Sequence, residues 1–338
     1  MAALDSGLVT LLDVAKSKDK QIGKVAEVLL QSNPILQHIP YMEMNEGTIH
    51  KESLRSNLPT VYYRKANQPI PASKTQIEER TFTAAHFESK SQMDKMVASR
   101  GGQDRVAFNR WNQSQGHIQA MAIEHADLMI YGSPTDHASK VAGFMDVYST
   151  LSTSEPTSKQ VISAGGAGSD NTSILFVDWS ENTIFGIYPK GTTAGLKRED
   201  HGIVQILGTD VNGRTGTYQG YEEQFEMDHG LVIKDYRAGA RICNIDISDL
   251  KAGGVSAADL LKLMTRAHYR IPAAVKTGKG YVYMNSTIAS FLHEQALEKV
   301  GAGGGLTFEN YQGQMVMMFL GRQVVVTDAL LNTEAVVS

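Results

Sequence analysis

The 338-residue chain is 42% hydrophobic and 20% charged, with 32 Lys+Arg against 36 Asp+Glu and a formal net charge of −4. This composition suits a folded protein of one to three domains with a large core, and it excludes the globally basic field that draws proteins onto nucleic acid. With one cysteine, Cys243, an intrachain disulfide framework and a cysteine-rich zinc site are both excluded.

The opening Met1-Ala-Ala-Leu-Asp5 lacks the basic and apolar regions of a secretory signal. No run of 18 apolar residues follows, so no membrane span is expected and the reducing cytosol is the expected place of synthesis and residence. Two helical stripes come first, Leu8, Leu11, Leu12 and Ala15, then Ile22, Val25, Ala26 and Leu29. Pro34 and Pro40 bound an expected extended segment from Ile35 to Met42. Thr48 to Leu54, Thr60 to Lys65 and Thr75 to Phe87 then have strand-like composition, dense charge and the prolines Pro59, Pro69 and Pro71. A ribbon this polar is marginal alone in water. It is either a solvated hairpin or loop, or an arm that gains stability by lying across a neighbour.

Residues 103–131 are expected to form one helix with Phe108, Trp111, Ile118, Ala122, Ala126 and Met129 on its apolar face. At about 1.5 Å per residue it would be a rod of about 43 Å, stopped by Gly132-Ser133-Pro134. Residues 151–172, rich in Ser, Thr and Gly, read as a loop, and Ile174 to Trp179 as a buried strand. Asn212-Gly213, between Ile206–Val211 and Arg214–Tyr218, signals a tight hairpin turn. Cys243 lies in an apolar alternating run and reads as a small buried hydrophobe. Ser256 is the expected cap of a helix with the stripe Leu260, Leu261, Met264 and Ala267. Tyr281 to Tyr283 reads as a strand, Thr287 to Lys299 as a helix stopped by Gly301 and the Gly303–Gly305 run, and Met315 to Thr327 as strand again. Helices and strands mixed without regular alternation give an α+β class.

No catalytic, cofactor-binding or metal-ligating constellation emerges, and no cofactor is expected. Gly278-Lys279 suggests a phosphate loop, but that pattern needs Gly at 273 and Ser or Thr at 280, where Ala273 and Gly280 stand. The glycines within 165–168 and 301–305 lack the spacing of a dinucleotide site. Asp210-x-Asn212-Gly213 departs from a calcium loop, with Tyr221 where the bidentate Glu belongs. Gly254-x-Ser256-x-Ala258 only loosely matches a nucleophile elbow. His117, Glu124 and His125 are the best metal candidates, yet zinc helices use pairs at i and i+4, so polar surface or subunit contact is the favoured reading. His38, His50, His86, His137, His201, His229, His268 and His293 show no ligand spacing. The adjacent pairs Glu78-Glu79 and Glu222-Glu223 point to opposite faces of a strand and cannot work as one acid–base pair.

Two stretches are more telling. Gly230-Leu-x-x-x-Asp235-x-Arg237 running on to Arg241-Ile-x-Asn244-Ile-Asp246, and the closing Asp328-Ala-Leu-Leu-Asn-Thr-Glu334, alternate like strands or strand ends. Both resemble segments of the major capsid proteins of tailed bacteriophages, which have the Hong Kong 97-type fold. Gly132-Ser133-Pro134 followed by Ala142-Gly-Phe-Met-Asp146 is similar to the segment after the spine helix of such proteins. The order of parts agrees: arm, charged ribbon, long helix, mixed domain and closing strands.

The resemblance implies an N-terminal arm at 1–45 and an E-loop at 46–92. It implies a peripheral (P) domain at 93–150 with the spine helix 103–131, completed by a long strand at 224–250. An axial (A) domain would take 151–223 and 251–312, and closing strands 313–338. The implied function is a non-enzymatic coat protein that self-assembles into hexamers and pentamers of an icosahedral shell around double-stranded DNA. It would reside in the virion and assemble in the host bacterial cytoplasm. Implied partners are other copies of itself, a portal protein, in some cases a decoration protein, and packaged DNA by non-specific proximity. A separate scaffolding protein is also expected, because the arm begins almost at once. Two rivals stay open: an encapsulin-like nanocompartment shell, and a soluble metal-dependent hydrolase built on His117, Glu124 and His125.

Overall fold

The computed structural model describes residues 33–338 except 101, 103–104, 153, 210–211, 254–256, 277, 299–305 and 312–313. The two stripes expected before residue 30, Ser256 and the glycine run at 301–305 lie outside the described residues.

Pro34 starts a helix where it was expected to end one. Its fixed φ suits a first turn, and α1 (Ile35–His38) follows, so the extended segment shrinks to β1 (Tyr41–Glu43). β2 (Ile49–Asn57) and β3 (Gln76–Thr83) form an antiparallel ribbon from the pair Ile49–Thr83 to the pair Asn57–Gln76. Thr60–Lys65 is not a strand; the prolines of the 58–75 connection lack ladder donors and fix φ. Nor is Thr75–Phe87 continuous, because Ala84 separates β3 from β4 (Ala85–Asp94). After α2 (Lys95–Ala98) comes α3 (Val106–Tyr131), which stops at Gly132 as expected. A Cβ at Gly132 would overlap the carbonyl oxygens of Leu128 and Val141, so only glycine can turn the chain there.

The remaining elements are α4 (Phe144–Val147), β5 (Val161–Ser163), β6 (Asn171–Trp179), β7 (Ile184–Tyr188), β8 (Lys197–Thr209), β9 (Thr215–Ile233) and β10 (Gly239–Asp246). They continue with α5 (Ile247–Ala252), α6 (Leu260–Arg270), β11 (Lys279–Met284), α7 (Ser286–Glu298), β12 (Leu306–Tyr311), β13 (Gln314–Phe319) and β14 (Arg322–Val326). The single long strand expected across 224–250 is two. β9 ends at Ile233, the Asp235 carboxylate accepts from the Arg237 amide at 3.0 Å to close a 3-10 turn, and β10 begins at Gly239. Among the described residues no helix is long and apolar enough to cross a membrane.

The described chain divides into two compact units. The sheet unit comprises 34–85, 128–194 and 229–338. Its main sheet has the order β5-β10-β6-β11-β14-β13-β12, with β5–β10 and β11–β14 parallel and the other neighbours antiparallel. β6 is buried along its whole length; cover on both faces is what its continuous apolar run signals. On one face Ile174, Phe176, Ile242 and Val282 pack with Leu260, Leu261, Met264 and Ala267 of α6 and Ile288 and Leu292 of α7. On the other, Trp179 stands edge-on to Phe144 and donates to the Tyr283 hydroxyl at 2.8 Å. The cap of α6 is Asp259, accepting from the Lys262 amide at 3.3 Å, and not Ser256; an aspartate beside the first turn satisfies the same orphan amides. β7 pairs with 230–233 of β9 and, in parallel, with β1.

The helical unit comprises, with Asn33, residues 86–127 and 195–228 among those described. β8 and β9 form a hairpin running from the pair Lys197–Glu226 to the pair Thr209–Thr215, and β4 neighbours β9. Asn212-Gly213 lies in the connection as expected, Gly213 with φ +79°, but residues 210–214 make it longer than a two-residue turn. In this unit α3 buries Asn109, Ser114, Met121, His125 and Ala126, whereas Phe108 and Trp111 are 49% and 48% exposed. The expected apolar face therefore holds at Ala126 and Met129, both buried, and fails at its first turns. There the buried side chains are polar: Asn109 donates to the Ala98 carbonyl at 3.0 Å and Ser114 to Glu223 at 2.6 Å.

Candidate functional site

The ribbon is anchored at its base and bare at its tip. At the base, Phe82 and Ala84 pack with Met44, Phe185, Ile187 and Val232. His50 is buried edge-on to Phe185, and its Nε2 lies 3.1 Å from Glu52. Lys234 Nζ reaches the other Glu52 oxygen at 2.8 Å. Burial alone would raise the Glu52 carboxyl, but the bonds to Lys234 and His50 outweigh it and hold the group below its ordinary value. Gly230 is required here, since a Cβ would overlap the Thr83 carbonyl oxygen. Beyond this clamp lie Leu58 (69% exposed), Val61 (86%), Tyr63 (103%) and Ile77 (67%). Fully burying such a side chain stabilises by about 1.5–3 kcal/mol. These are large apolar side chains exposed on an otherwise polar arm.

A buried clasp holds the C-terminal segment to the sheet unit. Arg241, in β10, donates to Glu334 at 2.9 Å, to Ser173 Oγ at 3.1 Å and to the Tyr148 carbonyl at 2.9 Å. Glu334 also accepts from Ser173 and, at 2.7 Å, from Tyr131, while its amide donates to the Asn171 carbonyl at 2.9 Å. Burial and the neighbouring Glu334 charge push the Tyr131 hydroxyl well above its ordinary range. Three residues on, Asn244 adopts φ +57°, a conformation Asn tolerates better than most residues. There it donates to the Val337 carbonyl and accepts from the Val337 amide, each at 2.8 Å. Thus the two stretches that carried the family resemblance, Gly230–Asp246 and Asp328–Glu334, are joined to each other. Their ion pair spans 93 positions, and no local pattern in the sequence links the two charges.

The helical unit has its own charged interior. Glu223 is 3% exposed and lies 2.6 Å from Arg110, 2.9 Å from Arg198 and 2.6 Å from Ser114; Arg110 also reaches Asp200 at 2.6 Å. Glu222 turns the other way, to Gln92 at 2.6 Å and Lys90 at 3.3 Å, so the adjacent pair does face opposite sides. The metal candidates are not assembled. His117 bonds Ser89 at 2.7 Å and stacks on Phe225, His125 is buried near Phe87, and Glu124 is exposed. Among the described residues no group of three or more His, Cys, Asp and Glu could hold a metal ion. Burial holds His125 down at about 4. Cys243 is buried as expected, and burial pushes its thiol up to about 11.

Residues 17–338 match the family model described as major capsid protein GP7. A chain in the near-atomic-resolution structure of bacteriophage Epsilon15 is 31% identical, with 100% of this chain and 99% of that chain covered and a TM-score of 0.78. Two far weaker likenesses are to the bacteriophage JBD30 capsid and to the SrpI encapsulin complex of Synechococcus elongatus. The first is 9% identical, covers 87% of this chain and 91% of that one, and has a TM-score of 0.43. The second is 10% identical, covers 71% and 98%, and has a TM-score of 0.42. None of the curated proteins compared with the chain matches it.

Proposed function

The chain belongs to the major capsid protein GP7 family, and from that membership we propose that residues 46–92 act as the E-loop, an arm laid across the adjacent subunit. The protein is a major capsid protein of a tailed bacteriophage, has the Hong Kong 97-type fold and associates with its own copies in the virion shell. The reading of the arm is carried by the apolar tip exposed on an otherwise polar ribbon, from Leu58 to Ile77. A shell subunit gains by ordering such a segment only on assembly, when a neighbour covers it.

Within this proposal residues 1–45 are the N-terminal arm, α3 is the P-domain spine, and the sheet between 151 and 312 supplies the A-domain. The hairpin 197–228 shares a compact unit with α3, which supports counting it with the spine within this proposal. The subunits form hexamers and pentamers of an icosahedral shell around double-stranded DNA. They do so in the host cytoplasm, without catalysis, aided by a separate scaffolding protein and completed by a portal. The test is co-expression with the neighbouring scaffold gene, followed by electron microscopy. Closed shells tens of nanometres across are expected; only small oligomers with scaffold present would overturn the assembly scheme. Shells filled with an enzyme cargo would point to a nanocompartment.

A further inference from the structure

A cluster apart from the ribbon and the clasp lies where three strands run side by side. Gly280 of β11 is paired with Asp178 of β6, and on its other side β11 pairs with β14 from Tyr281–Gln323 onward, next to Arg322. A Cβ at 280 would lie 2.6 Å from Asp178 Oδ1 and 2.9 Å from Arg322 Nη1, so glycine lets these two side chains meet over the middle strand. They form a buried ion pair, Arg322 Nη2 to Asp178 Oδ2 at 2.6 Å, with both side chains at most 5% exposed. That uses one arm of the guanidinium. Nη1 is buried with no acceptor.

The half-buried Lys276 and His268 are near enough to this pair to interact with its charges. Lys276 Nζ is 3.0 Å from His268 Nε2. An ammonium can only donate, so Nε2 accepts and the ring proton is assigned to Nδ1. Nδ1 is also buried and without a partner. Burial first, then the cations nearby, hold both groups down: Lys276 and Arg322 act on His268, and Arg322 on Lys276, with Asp178 the opposing carboxylate. Two fixed cations thus act on one carboxylate, and two buried donors lack acceptors, each having given up its solvation without a replacement. A small anion with several acceptor oxygens would satisfy both donors and balance the charge.

We propose that Arg322, Lys276 and His268 form a binding site for a phosphate-type oxyanion. The Asp178–Arg322 pair is its floor, and Lys276 with His268 its solvent side. The site belongs to the single subunit, so its test does not depend on the shell.

The full chain would be titrated with inorganic phosphate at constant ionic strength by calorimetry while the His268 ring nitrogens are followed by NMR. Saturable binding of one phosphate per subunit is expected, with the His268 pKa rising because a bound anion favours imidazolium. Lys276→Met, which leaves the buried ion pair intact, should weaken binding at least tenfold, and Lys276→Arg should restore most of it. Failure to saturate at millimolar phosphate, or equal binding by Lys276→Met, overturns the proposal. A short DNA duplex then identifies the source: competition with phosphate assigns the oxyanion to a phosphodiester, and its absence to a free anion, the site standing in both cases.

Discussion

β2–β3 and β8–β9 are both long antiparallel hairpins, yet they differ in what covers them. β9 is flanked by β4 and lies against α3, so Phe225 and Glu223 are buried, one under His117 and the other between Arg110, Arg198 and Ser114. β2–β3 is a two-stranded sheet by itself, with β3 exposed at every residue but Phe82. Hydrogen-bond pairing is common to both and cannot be what separates them. A hairpin becomes stable in water when a third strand or a helix covers it. The β8–β9 hairpin has this cover within its own unit; the β2–β3 ribbon has it only at its base.

Mutations can break or sharpen that contrast. The largest effect is expected from Glu223→Ala, which removes the buried carboxylate that Arg110, Arg198 and Ser114 share. Urea unfolding of the subunit should show a loss of about 3 kcal/mol, whereas Glu79→Ala in the ribbon should stay within about 0.5 kcal/mol. Equal losses would mean the hairpins are not differently supported.

Acid should also act on the helical unit. His125 titrates at about 4 in the fold against about 6.5 unfolded, so the unfolded chain binds the extra proton between those values. This contribution is complete above pH 6.5 and is lost as pH falls toward 4, by at most about 3 kcal/mol. The difference in urea midpoint between wild type and His125→Phe, followed from pH 7 to 4.5, reads it directly; a constant difference would refute the assignment.

Smaller still is the expected cost of Lys234→Met at the ribbon base, about 1 kcal/mol from loss of the half-buried pair with Glu52, with faster amide exchange in β2 as the local readout. Smallest in the subunit is Val61→Ser with Tyr63→Ser, within about 0.5 kcal/mol. In co-expression with scaffold, however, the double variant should lower the yield of closed shells severalfold, and an undiminished yield would remove the tip from the interface.

Much of the fold was legible where one chemical pattern decides the outcome. The apolar run of β6 and the stripe of α6 lie as expected, and Asn212-Gly213 falls in a hairpin connection, though one longer than a tight turn. The face of α3 was legible at Ala126 and Met129 but not at its start, because periodicity weights Phe108 and Trp111 as core, while the side chains buried there are polar and serve Glu223 and the Ala98 carbonyl. Polar burial depends on groups brought together by the fold: Ser114 is 109 positions from Glu223, and Arg241 is 93 from Glu334. The break at Tyr236–Ala238 was hidden because Asp235 and Arg237 suit an alternating strand as well as a capped turn. At the candidate contact surface the composition of 46–92 foretold a polar ribbon, but not which end would be free. That depended on Lys234 and Gly230, far along the chain.

The clamp at His50, Glu52 and Thr83 also makes the ribbon a lever. Five residues of β2, from Ser53 to Asn57, extend past it, about 17 Å of strand before the connecting loop begins. A swing of about 10° at the clamp would carry the strand end through about 3 Å and the loop farther. In the arm proposed for 46–92, such a turn at the fulcrum lets a single sequence meet neighbours set at different dihedral angles.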